Sequence, residues 1–203
     1  MKTLKEIATY YGTAKVPHGY MEIYERYFNE WRNKKISLLE IGVATGASMR
    51  TWIEYFKKGH IVGVDKELQF ESDKCELIEG DITHNNTLAN ISGEYHIIID
   101  DGSHRANEQL EAVTGLWDMV MPGGYYVIED LFTLYDQVWN PDQPRTIIDC
   151  IHDSMKNIIT GGDSIQEVHY YGRNDINGIL FLRKRYEEFR IQPLSEFNMN
   201  EIL

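Results

Sequence analysis

Residues 97–101, three isoleucines and then two aspartates, most narrow what this chain can fold into, and Gly102, Ser103 and His104 follow them directly. Apolar side chains at consecutive positions suit a strand buried on both faces, as in a parallel sheet covered by helices. The carboxyl edge of such a sheet is where α/β folds bind their ligands. Asp100, Asp101 and His104 therefore mark a reactive edge.

The flanking sequence repeats the alternation of strand and helix. A strand over 36–41 runs into Gly42, Val43, Ala44, Thr45 and Gly46, and a helix over about 48–56 follows. Strand, glycine turn and helix make a nucleotide-type cradle, because glycines permit close backbone approach and the free N–H groups of a helix start favour an anionic or polar ligand. The next strand, 60–64, ends in Asp65, 25 residues after Glu40 and so one βαβ unit on. An acid at that edge can accept both hydroxyls of a ribose. A short strand over 75–78 leads to Gly80, Asp81 and Ile82, where an acid and a backbone N–H can read the edge of an adenine. Strands over 95–101 and 125–128 complete the run, the second ending in Glu129 and Asp130. Between them lies a helix over 108–119 that Pro122, Gly123 and Gly124 are expected to stop.

Helices over 4–11 and 21–31 precede this series, joined by a loop over 12–20 from which His18 can join the site. A helix over 146–160 follows it, then strands over 164–171 and 178–184 joined by a loop over 172–177. The chain reads as an α/β fold with a seven-stranded, mostly parallel sheet, an antiparallel C-terminal hairpin and helices on both faces. Residues 131–145 carry Phe132, Tyr135, Trp139, Pro141 and Pro144 without a helical period. A loop of that length beside the reactive edge suits a substrate wall.

Composition removes several classes of partner. A formal net charge of −12 with no stripe of Lys and Arg argues against nucleic acid. No apolar run is long enough to span a bilayer, and residues 1–8 lack the apolar core of a secretory signal, so no membrane partner and a cytoplasmic location are expected. Cys75 and Cys150 are too few and too far apart for a disulfide framework or a cysteine metal site. One domain over 1–203 is expected, with 1–35 as a helical amino-terminal segment. A small molecule is the expected partner, and self-association is left open.

These residues carry a family resemblance. Glu40-Ile41-Gly42-Val43-Ala44-Thr45-Gly46, Asp65 and Gly80-Asp81 on a seven-stranded plan resemble a Rossmann-like class I S-adenosylmethionine-dependent methyltransferase. More narrowly, Asp100-Asp101-Gly102-Ser103-His104 with Pro122-Gly123-Gly124 and Ile128-Glu129-Asp130-Leu131 resembles the metal-dependent O-methyltransferases of macrolide sugars and the cephalosporin hydroxylase-type proteins. The resemblance covers roughly 17–131. It implies Mg²⁺ held by Asp101, Glu129 and Asp130, His104 as the base that takes a hydroxyl proton, and S-adenosylmethionine held about Glu40, Gly42, Gly46, Asp65 and Asp81. Those sugar enzymes carry an additional amino-terminal region that helps build the substrate site. Here about 35 residues precede the first strand, so the macrolide sugar itself does not carry over.

A metal also follows from the residues themselves. Neighbouring strands lie roughly 4.8 Å apart, so acids ending two of them converge and repel, and a hard divalent cation relieves that repulsion. Side chains alternate along a strand, so Asp100 and Asp101 should not both face the ion; Asp100 is assigned to the cofactor side or a helix start. A sugar hydroxyl is too weakly acidic to ionise at neutral pH, and metal coordination with a nearby base, His104, answers that need. The expected function is methylation of a hydroxyl on a small molecule, a sugar or glycosylated natural product. The alternatives are a non-catalytic module that binds S-adenosylmethionine within a larger assembly, and an oxidoreductase. The second is disfavoured because no Gly-x-Gly-x-x-Gly follows the first strand.

Overall fold

The computed structural model describes residues 1–173 and 176–186. Residues 187–203 of the expected domain, and Asn174 and Asp175 of the expected hairpin loop, lie outside the described residues. Seven strands form one sheet: β1 (Ser37–Ile41), β2 (His60–Asp65), β3 (Glu76–Glu79), β4 (Tyr95–Asp100), β5 (Val120–Ile128), β6 (Ile165–Arg173) and β7 (Ile176–Lys184). Their order is β3-β2-β1-β4-β5-β7-β6. The first five pair in parallel, and β7 is antiparallel to both β5 and β6.

Alternate strand residues feed two cores. Leu38, Ile97, Ile99, Val127 and Phe181 pack on one face under α1 (Leu4–Tyr11), α2 (Met21–Phe28) and α3 (Ala47–Tyr55). Leu39, Val62, Ile98, Tyr126 and Leu180 pack on the other with α5 (Ala106–Leu116) and α6 (Ile147–Thr160), while the short α4 (Asn85–Asn90) follows β3. Strands buried on both faces need no polar alternation, which is why the isoleucine run reads as it does. Both ends of the series are capped. Thr3 and Thr146 each accept from the backbone N–H three residues on, and Glu6 and Asp149 return the bond; such boxes satisfy donors that a helix start leaves open.

One boundary differs from expectation. Pro122, Gly123 and Gly124 do not stop a helix. Helix α5 ends at Leu116, a 3₁₀ turn covers Trp117–Met119, and β5 begins at Val120, with the Pro-Gly-Gly triplet inside it. Tyr95 faces Val120 and Ile97 faces Tyr125, so the triplet is the extra chain of an irregularity in the ladder. Pro122 has no N–H to give a ladder and suits such a position. Residues 131–145 also hold more structure than expected. Leu131–Tyr135 is a 3₁₀ turn with Leu131, Thr133 and Leu134 buried. Among the described residues no helix is long and apolar enough to cross a membrane.

Candidate active site

The site begins with strand order. Ile41 and Ile128 both lie opposite Asp100, so β1, β4 and β5 end side by side. The chain just past those ends stays in register: Asp101 N donates to Ile41 O and Glu129 N to Asp100 O, each at 3.0 Å. Gly42 has φ 89°, and a Cβ there would stand 2.1 Å from the Asp101 carbonyl oxygen. Only glycine lets the first turn lie this close to the reactive strand. Asp65 then fixes that turn, its Oδ2 accepting from Val43 N and Ala44 N at 2.8 Å each.

A cavity of about 480 Å³ opens over these ends, and Gly42, Asp65, Asp100, Asp101, His104, Glu129 and Asp130 all line it, with His18 from the amino-terminal loop. Three other sequence candidates stand outside the lining. Glu40 is fully buried, accepting from Ser48 Oγ at 2.8 Å and Trp52 Nε1 at 3.2 Å. Gly46, at φ 77°, starts α3 where a Cβ would strike the Phe70 ring. Asp81 accepts from both N and Oγ1 of Thr83 and pairs with Lys66 Nζ at 3.0 Å. Burial works to raise its pKa, but Thr83 and the Lys66 ammonium overcome that and hold it at about 2.

Asp100 and Asp101 part as strand alternation requires. Asp100 turns to Gly102 N and to Tyr126 Oη, and burial pushes its carboxyl up to about 7. Asp101 turns to the amino-terminal loop, where the sequence reading had placed nothing but His18. Lys15, 2% exposed, sets its ammonium 2.5 Å from Asp101 Oδ2, 2.7 Å from Glu129 Oε1 and 3.1 Å from Glu40 Oε1. Burial alone would lower its pKa; three carboxylates facing it raise it instead, so the ammonium stays charged. Tyr24 Oη also donates to Glu129. Burial and then the neighbouring Asp101 push the Glu129 carboxyl upward. Tyr20 Oη donates to Asp130 Oδ1 at 2.6 Å, and His18 Nδ1 lies 3.6 Å from the same oxygen.

Among the described residues, one group of acids and imidazole brings its donor atoms within 4.8 Å of one another: Asp101, His104 and Asp130. Glu129, the third acid of the expected set, is engaged by Lys15 and Tyr24. His104 Nε2 faces Asp130 Oδ2 at 3.8 Å, while Nδ1 is buried without a partner. Both residues hold positive φ, 59° and 55°, which non-glycine residues adopt at a cost that active sites commonly bear. Thr133 Oγ1 ties the two together, donating toward His104 O at 2.8 Å and Asp130 O at 2.9 Å. The Trp139 ring packs edge-on against the imidazole, 5.7 Å between centroids.

Known proteins resemble this chain in sequence and in fold. Mycinamicin VI 2''-O-methyltransferase of Micromonospora griseorubida is 35% identical over 146 residues, 65% of this chain and 37% of that protein. Demethylmacrocin O-methyltransferase of Streptomyces fradiae matches to the same extent. The solved structure of MycE, a methyltransferase of the mycinamycin biosynthetic pathway in complex with Mg, SAH and mycinamycin VI, superposes with a TM-score of 0.81. It is 29% identical and covers 94% of this chain and 57% of that one. This chain is a homologue of the macrolide-sugar O-methyltransferases. Its sheet, with the antiparallel β7 between β5 and β6, is the class I methyltransferase fold. The chain spans little more than a third of the curated relatives it matches. No family model matches it.

What sequence reading missed is the cation supplied by the chain itself. Acids ending adjacent strands demand positive charge, and Lys15 was the one lysine in the loop already drawn toward the site through His18. Tyr20 ends the 12–20 loop and Tyr24 lies on the apolar face of the following helix; their hydroxyls reach Asp130 and Glu129.

Proposed function

We propose that this chain transfers a methyl group from S-adenosylmethionine to a hydroxyl of a glycosylated small molecule, with a divalent cation such as Mg²⁺ in the site. One observation carries the reading: the glycine turn with Asp65 and the cluster of Asp101, His104 and Asp130 line a single cavity. The residues fit both groups. The glycine turn and Asp65 line the cavity beside the strand ends, and Asp101 and Asp130 bring carboxylate oxygens close enough together to suit a hard divalent ion, leaving the imidazole of His104 beside them. Asp101 and Asp130 would hold the cation and Asp65 the ribose. When bound, the cation supplies positive charge that makes a hydroxyl more acidic, and the cofactor an electrophilic methyl group.

The chain's own residues do the remainder. His104 Nε2, facing the cavity's acids, takes the hydroxyl proton, and Asp130 beside it stabilises the imidazolium that results. Thr133 holds the backbone of His104 and the Trp139 ring packs against its imidazole. Lys15 and Tyr24 keep Glu129 from repelling Asp101.

The test is single-turnover methyl transfer to mycinamicin VI and to related glycosides with Mg²⁺ present, beside calorimetry with S-adenosylhomocysteine and NAD. Methylated glycoside supports the reading; heat with neither sulfur ligand overturns it. Asp65→Ala is expected to weaken S-adenosylhomocysteine about tenfold or more, since a charged hydrogen bond contributes roughly 1.5–3 kcal/mol; unchanged affinity would remove Asp65 from the ribose. Asp101→Ala and Asp130→Ala are expected to weaken Mn²⁺ binding at least about tenfold in a paramagnetic titration while leaving S-adenosylhomocysteine affinity nearly unchanged. Equal Mn²⁺ affinity in both variants would remove the cation from this cluster.

A further inference from the structure

Gln109 stands on the first turns of α5, is 2% exposed and lines the cavity, yet neither its amide nitrogen nor its amide oxygen has a partner in the protein. A buried amide left in that state costs free energy, so a residue kept there calls for a ligand that supplies both an acceptor and a donor. We infer that Gln109 reads the base of the cofactor, its amide oxygen accepting from the adenine 6-amino group and its amide nitrogen donating to the adjacent ring nitrogen. This rests on the S-adenosylmethionine reading above.

The local chemistry favours a base at this point over any other part of the ligand. Ile82 and Ala112 give the neighbouring lining an apolar character suited to a planar ring, and the acids of the reactive cluster belong to the strand ends. Asp81, the acid that the sequence suggested for the adenine edge, is already engaged by Thr83 and Lys66, and an ionised carboxylate offers no donor. Lys66 is itself tied across to Glu108 at 3.1 Å, the residue before Gln109, so this rim is braced. A carboxamide presents one donor and one acceptor side by side, the complement of adenine, which is why Gln and Asn pair with that base elsewhere. The terminal torsion of glutamine is broad, so the amide turns toward the cavity without leaving a rotamer well.

The experiment is a cycle of two proteins and two ligands. Wild type and Gln109→Leu are titrated with S-adenosylhomocysteine and with the analogue whose base is purine, lacking the 6-amino group. In wild type, loss of the amino group is expected to weaken binding roughly tenfold or more, and Gln109→Leu is expected to bind both ligands alike, at about the weaker affinity. Thermal stability of Gln109→Leu should equal or exceed wild type, because an unpartnered amide has been removed. Gln109→Met, unbranched like glutamine, repeats the cycle should leucine not fit. If either folded variant keeps the wild-type preference for the amino group, the proposal is overturned while the cofactor reading stands. A wild-type protein that takes up no S-adenosylhomocysteine overturns both.

Discussion

Lys15→Met is expected to destabilise the protein by about 3–5 kcal/mol, the usual consequence of removing one member of a buried ion cluster and leaving its partners uncompensated. The ammonium meets three carboxylates, of which Glu40 and Glu129 are 0% and 1% exposed and have no water to fall back on. Methionine restores the packing volume and none of the charge, so the loss reads electrostatics rather than a cavity. At roughly 2–4 °C per kcal/mol for a chain of this size, the melting temperature should fall by about 6–20 °C. Glu129→Gln in the same background should restore part of the loss, because Tyr24 can still donate to an amide oxygen and one buried charge has gone. Thermal melts of the four proteins measure the coupling. Lys15→Met within about 1 kcal/mol of wild type would show that Lys15 does not hold the cluster together.

Lys15 also explains where sequence reading stopped. The sheet was legible because two-sided burial writes itself as runs such as Ile97, Ile98 and Ile99, and because each run ended in a turn or an acid. Asp65, Asp101, Glu129 and Asp130 could be placed at one edge for the same reason: a strand end in a parallel sheet has only one edge to go to. The distribution of work among them was not legible. Five carboxylates, counting Glu40, give no sign in sequence of which will face a lysine and which remain to face a ligand. That choice depends on a loop 86 residues before Asp101 folding over the edge. The Pro-Gly-Gly triplet failed differently. Its local signal is a stop, yet pairing of Val120 with Tyr95 on one side and Tyr125 with Ile97 on the other draws it into the strand as an irregularity. Ladder bonds on both sides outweigh a local preference between them.

Trp139 stands beside His104, while no residue of 131–145 lines the cavity itself. The segment 131–145 was read as a substrate wall because it is long and aromatic, and Phe132, Tyr135 and Val138 are indeed exposed. Its fixed part comes from polar residues that attracted no notice. Asn140, 4% exposed, accepts from Ala106 N at 2.9 Å and donates to Thr133 O at 2.8 Å, pinning the segment to the start of α5 and to the turn after β5. The Trp139 ring is thereby set beside His104.

His104→Ala is expected to slow single-turnover methyl transfer about 10²–10⁴-fold, the usual worth of a positioned general base. A sugar hydroxyl must lose its proton before or during attack on the methyl carbon, and His104 Nε2 is the imidazole nitrogen that faces the acids at the strand ends. His104→Gln separates taking a proton from merely orienting the acceptor, since glutamine hydrogen-bonds but cannot accept a proton at neutral pH. If His104 is the base, both variants lose rate together. If it only orients the acceptor, glutamine recovers much of what alanine loses. Because the backbone at His104 is held at φ 59°, His104→Asn, a residue more tolerant of that conformation, serves as the control for backbone strain. Affinity for S-adenosylhomocysteine should be nearly unchanged in all three, which separates a lost proton acceptor from a distorted cavity. Rates near wild type in the alanine and glutamine variants would take His104 out of the reaction and leave solvent to remove the proton.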